Sequence, residues 1–73
     1  MKRYEFDISM SYAHCSDLYS ASIRFVIVQA HSGEKIRLPK ENLKRFLMPD
    51  GIHGRFEMRI NDQNKILSIN RIA

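Results

Sequence analysis

Ile23-Arg24-Phe25-Val26-Ile27-Val28-Gln29-Ala30 decides the fold class. The segment is rich in β-branched residues, and from Phe25 to Val28 both strand faces are apolar, which is the pattern of a strand. It implies a central strand covered on both sides, or a strand at a dimer seam. Ser32-Gly33-Glu34 follows as hairpin-turn chemistry. Lys35 to Leu38 then returns as a short strand, with Ile36 and Leu38 inward and Arg37 outward.

The N-terminal flank alternates. Tyr4, Phe6, Ile8 and Met10 share one parity; Arg3, Glu5, Asp7 and Ser9 share the other. Period two is the signature of a half-buried strand, and it ties the N-terminus into a sheet. Ser11 is a candidate N-cap. Tyr12, Cys15, Leu18 and Tyr19 then recur at helical spacing, so a short helix to about Ser22 is expected.

On the C-terminal flank, Pro39 stops the strand and opens a second helix. Its apolar stripe is Leu43, Phe46 and Leu47, and Lys40, Lys44 and Arg45 lie away from it. Pro49-Asp50-Gly51 ends that helix, and Gly51 to Gly54 reads as a tight loop. Residues 55 to 61 alternate again, with Phe56, Met58 and Ile60 on one parity. Lys65 to Ile72 forms the last strand, whose apolar residues follow no single parity; a bulge or burial on both faces accounts for that. The expected order is β-α-β-β-α-β-β, an α+β domain with one mainly antiparallel five-stranded sheet and two short helices.

The chain has 73 residues, one cysteine and three histidines, with twelve Lys and Arg against eight Asp and Glu, for a formal charge of +4. That length holds a single domain, residues 1–73. The longest apolar run is far too short for a transmembrane helix, and the N-terminus lacks the apolar core of a signal peptide. One cysteine suits a reducing compartment. The expected setting is cytoplasmic, away from membranes.

Catalytic and metal chemistry find little support. His14, His31, His53 and Cys15 match no zinc spacing. His14 and Cys15 diverge by about 100° on a helix, which leaves the histidines on the surface and Cys15 in the core. The eight carboxylates are scattered. No enzyme activity, cofactor or metal is expected. Gly51-Ile52-His53-Gly54 superficially matches the Gly-x-x-Gly clamp of KH domains, but it joins a helix to a strand and has an apolar residue at its centre. An RNA-recognition motif is rejected, since Lys35–Leu38 carries no aromatic.

The basic residues remain. Arg24, Arg37, Arg55, Arg59 and Arg71 are all expected on strands, beside the Lys40, Lys44 and Arg45 group. Such a face would track a phosphate backbone if the arginines converge. It would be an ordinary solvated face if Glu5, Asp7 and Glu57 neutralise them. Self-association is the other option, because two short helices leave the Phe25–Val28 strand short of cover.

Several segments together carry a family resemblance: Ile36-Arg37-Leu38-Pro39, then Leu43 with Phe46-Leu47, then Gly51-Ile52-His53-Gly54-Arg55-Phe56, then Asn64-Lys65, Ser68 and Arg71-Ile72. With Arg3-Tyr4 and Ser11-Tyr12, the pattern resembles a family of short proteobacterial proteins, the domain of unknown function 2835 family, over nearly the whole chain. The resemblance implies a bacterial, stand-alone domain and transfers no activity, cofactor or catalytic residue. Pro, Gly and core roles explain most of the pattern. Arg55 has no evident structural need, so a site is expected around His53, Arg55 and Arg37. The expected function is a non-catalytic module contacting an acidic partner, nucleic acid included. The alternative is a homodimeric protein-interaction module.

Overall fold

A computed structural model describes residues 1–73, the side chain of Asp17 excepted. Its strands are β1 (Lys2–Met10), β2 (Phe25–Gln29), β3 (Lys35–Pro39), β4 (Ile52–Ile60) and β5 (Ile66–Arg71). A 3₁₀ helix spans His14–Tyr19, and a single α-helical turn, α1, spans Glu41–Lys44.

The strands form two antiparallel sheets, not one. The first has the order β1-β4-β5, and the second is the β2-β3 hairpin. They meet at an isolated bridge between Phe6 and Ala30, where the His31 amide donates to the Glu5 carbonyl at 2.8 Å. Beyond it β1 and β2 do not pair, and a cavity lined in part by Leu18 and Ile23 of the connecting segment lies between them.

The alternation of β1 is realised as read: Phe6 and Ile8 are buried, while Arg3, Asp7 and Ser9 are exposed. The register places Phe6 opposite Phe56 and Tyr4 opposite Met58. Phe6 and Phe56 stack with centroids 5.9 Å apart, and Phe46 meets Phe56 edge-on at 4.9 Å. Each buried aromatic contributes roughly 1.5–3 kcal/mol by leaving water. Leu18, Leu38 and Leu43 close the core from the connecting segments and β3.

Both expected helices are shorter than their apolar spacing suggests. In the first, only Cys15 and Leu18 are buried, whereas Tyr12 and Tyr19 are exposed. A spacing of three is what a 3₁₀ helix stacks on one side, and the Cys15 amide accordingly reaches both the Ser11 and Tyr12 carbonyls. Ser11 does act at the start, its hydroxyl accepting from the His14 amide at 3.4 Å. In the second, Pro39 closes β3, the helix starts at Glu41, and it ends after one turn. Leu43 alone reaches the interior fully, and Phe46 and Leu47 are half-buried in the turn that follows.

The loop expected at Gly51–Gly54 is replaced by strand. β4 begins at Ile52, two residues after the Pro49-Asp50 turn that links Met48 to Gly51. Gly54 pairs with Ile8 inside that strand at a φ of +147°. A Cβ there would lie 2.6 Å from Arg71 Nε and 2.8 Å from the Ala73 carbonyl, so the glycine permits close approach within a strand rather than a reversal. The mixed parity of β5 is explained by a bulge. Arg59 pairs with Ser68 and Ile60 with Ile66, which leaves Leu67 as the extra, exposed residue.

β2 is the further correction. It is not covered on both sides: Val28 is buried, but Phe25 is 47% and Ile27 68% exposed. No helix of this chain is long and apolar enough to cross a membrane.

Candidate functional site

The strand arginines fall into two populations. On the outer face of β1 and β4, basic and acidic residues alternate along the strands, with Arg3 opposite Arg59, Glu5 opposite Glu57 and Asp7 opposite Arg55, and ion pairs close within and between these rows. Glu57 accepts from Arg3 Nε at 2.5 Å and from Arg59 Nε at 2.9 Å, and Arg3 also reaches Glu5 at 2.8 Å. Asp7 accepts from Arg55 Nε at 3.1 Å and meets His31 Nε2 at 2.9 Å. The Arg3 and Arg59 guanidiniums hold the Glu57 carboxyl below its usual range, and hydrogen bonds from His31 and Arg55 do the same for Asp7. Arg55, for which no structural need was expected, is therefore paired with Asp7, one of the carboxylates the sequence offered as a neutralising partner.

His53 serves the same face. Its Nε2 donates to the Asp50 carbonyl at 2.9 Å, which leaves Nδ1 to accept from the Ser9 hydroxyl at 3.2 Å. It thus ties the turn before β4 to the end of β1. Arg71, at the end of β5, donates to the His53 carbonyl and covers Gly54. The helix-adjacent cations are engaged too: Lys40 with the Ser20 carbonyl, Lys44 with Glu41, and Arg45 with the Ile69 carbonyl.

Arg24 and Arg37 belong to the second population. Arg24 lies just before β2 rather than on a strand, and Arg37 is in β3, on the other sheet from Arg55, Arg59 and Arg71. The expected cluster of His53, Arg55 and Arg37 therefore does not assemble. Arg37 stands opposite Ile27 in the register, and its guanidinium lies 5.0 Å over the Phe25 ring. Arg24, Phe25, Ile27 and Arg37 line one shallow hollow on the outer face of the β2-β3 hairpin. Lys35, two residues from Arg37, shares its parity and is exposed. Among the described residues, no carboxylate lies within 4 Å of Arg24, Lys35 or Arg37. Two exposed apolar side chains beside three unneutralised cations make this the candidate site.

Phe25, Ile27 and Lys35 were not among the expected site residues. Their signal was present in the unbroken apolar run of β2, which two short helices do not cover. Cys15 is buried with its Sγ 4.0 Å from the Met10 carbonyl, and burial pushes its thiol up, away from the reactive thiolate. Among the described residues, no group of three or more His, Cys, Asp or Glu side chains is arranged to hold a metal ion.

A family model described as Protein of unknown function (DUF2835) matches residues 2–72, and the chain belongs to that family. No curated protein and no solved structure matches it.

Proposed function

We propose that this member of the DUF2835 family is a non-catalytic binding module of the bacterial cytoplasm that contacts an acidic segment of another protein through the outer face of the β2-β3 hairpin. One observation carries the reading: Arg24 and Arg37 flank exposed Phe25 and Ile27 without a carboxylate partner among the described residues, whereas Arg3, Arg55 and Arg59 are all paired. Apolar area beside unneutralised charge favours a partner that supplies both apolar and acidic groups.

A nucleic acid is the less favoured acidic partner. Tracking a backbone requires several cations along one path, and here Arg3, Arg55 and Arg59 of the three-stranded sheet are bound to Asp7 and Glu57, and Arg71 to the His53 carbonyl. Against catalysis stands the buried, protonated Cys15. The exposed apolar pair also suits a second copy, but a two-fold contact there would bring Arg37 and Arg24 against their own equivalents.

The test is a titration of the purified protein, at about 50 mM salt where electrostatic contacts are least screened, with a peptide of mixed glutamate and leucine, and in parallel with single-stranded and duplex DNA and RNA. Binding to the peptide with weak or no binding to nucleic acid is the expected result. Duplex binding with a log–log salt slope of several times ~0.9, equivalent to several phosphates, together with no peptide binding, would overturn it.

A further inference from the structure

The hydrogen-bond parity of the hairpin leaves one strand edge open. The Ala30 amide donates to the Glu34 carbonyl at 2.8 Å, and the Lys40 amide to the Arg24 carbonyl at 3.0 Å. Hydrogen-bonded pairs alternate in an antiparallel ladder, and the register pairs Gln29 with Lys35 and Ile27 with Arg37. The main-chain groups of Ile36 and Leu38 therefore point to β2, and those of Lys35, Arg37 and Pro39 point away from it. β3 has no second neighbour in its sheet. Pro39, which has no N–H to offer a ladder, sits at the last position of this edge, as proline does on edge strands.

The Arg45 guanidinium occupies the Ile69 carbonyl on the outer side of β5. The cleft of about 580 Å³ between β1 and β2 is bounded at one end by the Phe6–Ala30 bridge and lined by Leu18 and Ile23 of the connecting segment. Next to the β3 edge lies instead a groove of about 790 Å³, where the two sheets part. Ile36, Met58, Ile60 and Ile66 give it apolar walls, and Lys35 and Lys65 stand on its rim. Glu34, also on the rim, is held by the Tyr4 hydroxyl at 3.1 Å.

We propose that the free edge of β3 takes up an extended segment of a partner protein as an added strand, with alternating acidic and apolar residues. The proposal rests on the reading of the hairpin face as an acidic-partner site and specifies how that partner is held. An added strand continues the pleat of β3. Its residues beside Lys35 and Arg37 lie on the outer face, where carboxylates form cross-strand pairs with both cations. The intervening residues lie on the face of Ile36 and enter the groove. Main-chain bonds to Lys35 and Arg37 supply affinity, and the alternation supplies specificity. A second copy of this chain is a poorer occupant, since two β3 edges side by side would oppose Lys35 and Arg37 to one another.

The experiment selects peptides from a random library on the immobilised full-length protein, then follows amide hydrogen exchange of the protein by NMR with a selected peptide bound. Enrichment of acidic residues alternating with apolar ones is expected, with at least about tenfold slower exchange at the Lys35 and Arg37 amides. N-methylation of alternate peptide residues is expected to weaken binding about tenfold or more, because it removes the ladder donors. Selected acidic peptides that bind while Lys35 and Arg37 exchange unchanged would overturn strand addition and leave the acidic-partner reading intact. Selection of no acidic peptide would overturn both. Slow exchange at Lys35 and Arg37 in the peptide-free protein, disappearing on dilution, would assign the edge to a second copy and overturn the proposal.

Discussion

At the scale of single residues, the two glycines flanking Ile52 and His53 meet different neighbours. Gly51 has a φ of +106°, and a Cβ on it would fall onto the Met10 carbonyl oxygen and within 3 Å of the Ser11 and Tyr12 main chain. Gly54 faces mainly the guanidinium of the Arg71 side chain, although the Ala73 carbonyl is also close. Both φ values are unfavourable for alanine, which costs on the order of 1–3 kcal/mol by itself. Only at Gly51 must several backbone atoms also move. Gly51→Ala is therefore expected to lower unfolding stability by about 3 kcal/mol or more, and Gly54→Ala by less. Urea denaturation of the two variants checks the order. The pair of glycines was legible as a requirement for special backbone. Its assignment to a loop failed because Gly54 serves a close contact with Arg71, which sequence spacing does not encode.

At the scale of elements, the outer face of β1 and β4 is an ion-pair ladder. The Asp7 and Glu57 carboxyls are held below their usual range by His31 with Arg55 and by Arg3 with Arg59. A carboxyl whose native value is depressed adds stability above its unfolded value, about pH 4, and that contribution disappears as pH falls through the native value. Stability is expected to decline from neutral pH into the acid range, and a variant carrying both Asp7→Asn and Glu57→Gln is expected to decline less steeply. Denaturant midpoints between pH 6 and pH 2 measure this. The Asp7 pairs are exposed, and the Glu57 pairs have exposed arginines on a half-buried carboxylate, so added salt is expected to weaken the Asp7 pairs most. Strand alternation made this face readable in advance: Glu5, Asp7 and Glu57 were the residues able to neutralise the arginines. The two helices were less readable. Tyr12 and Tyr19 have apolar bodies at helical spacing, but each has a hydroxyl that water satisfies, and both remain exposed. Cys15 and Leu18 alone then set the geometry of the segment.

At the scale of the whole molecule, the division into two sheets separates Arg3, Arg55 and Arg59, which are paired with carboxylates, from Arg24 and Arg37, which have no carboxylate partner among the described residues. That division was not legible, because β1 and β2 are both strong strands and their patterns do not show that they meet at an isolated bridge rather than along a ladder. It turns the apolar excess of β2 from core into surface, and so places Arg24 and Arg37 beside exposed Phe25 and Ile27 and apart from His53 and Arg55. It also bears on oligomeric state. Arg24, Lys35 and Arg37 surround the exposed apolar pair, so two copies meeting there repel, and sedimentation equilibrium at high micromolar concentration is expected to return a monomer. A dimer that dissociates on Ile27→Glu would count for the homodimeric alternative.

The most direct measurement compares two charge reversals, Arg37→Glu and Arg59→Glu, in binding to one acidic peptide selected on the wild-type protein. Both side chains are exposed, so each variant should keep the fold. Arg37 stands unneutralised on the hairpin face, and Arg59 is already paired with Glu57. Arg37→Glu is expected to weaken binding by about tenfold or more, while Arg59→Glu changes it by less than about threefold. Loss of binding in Arg59→Glu with full binding in Arg37→Glu would contradict it and move the site to the face of the three-stranded sheet.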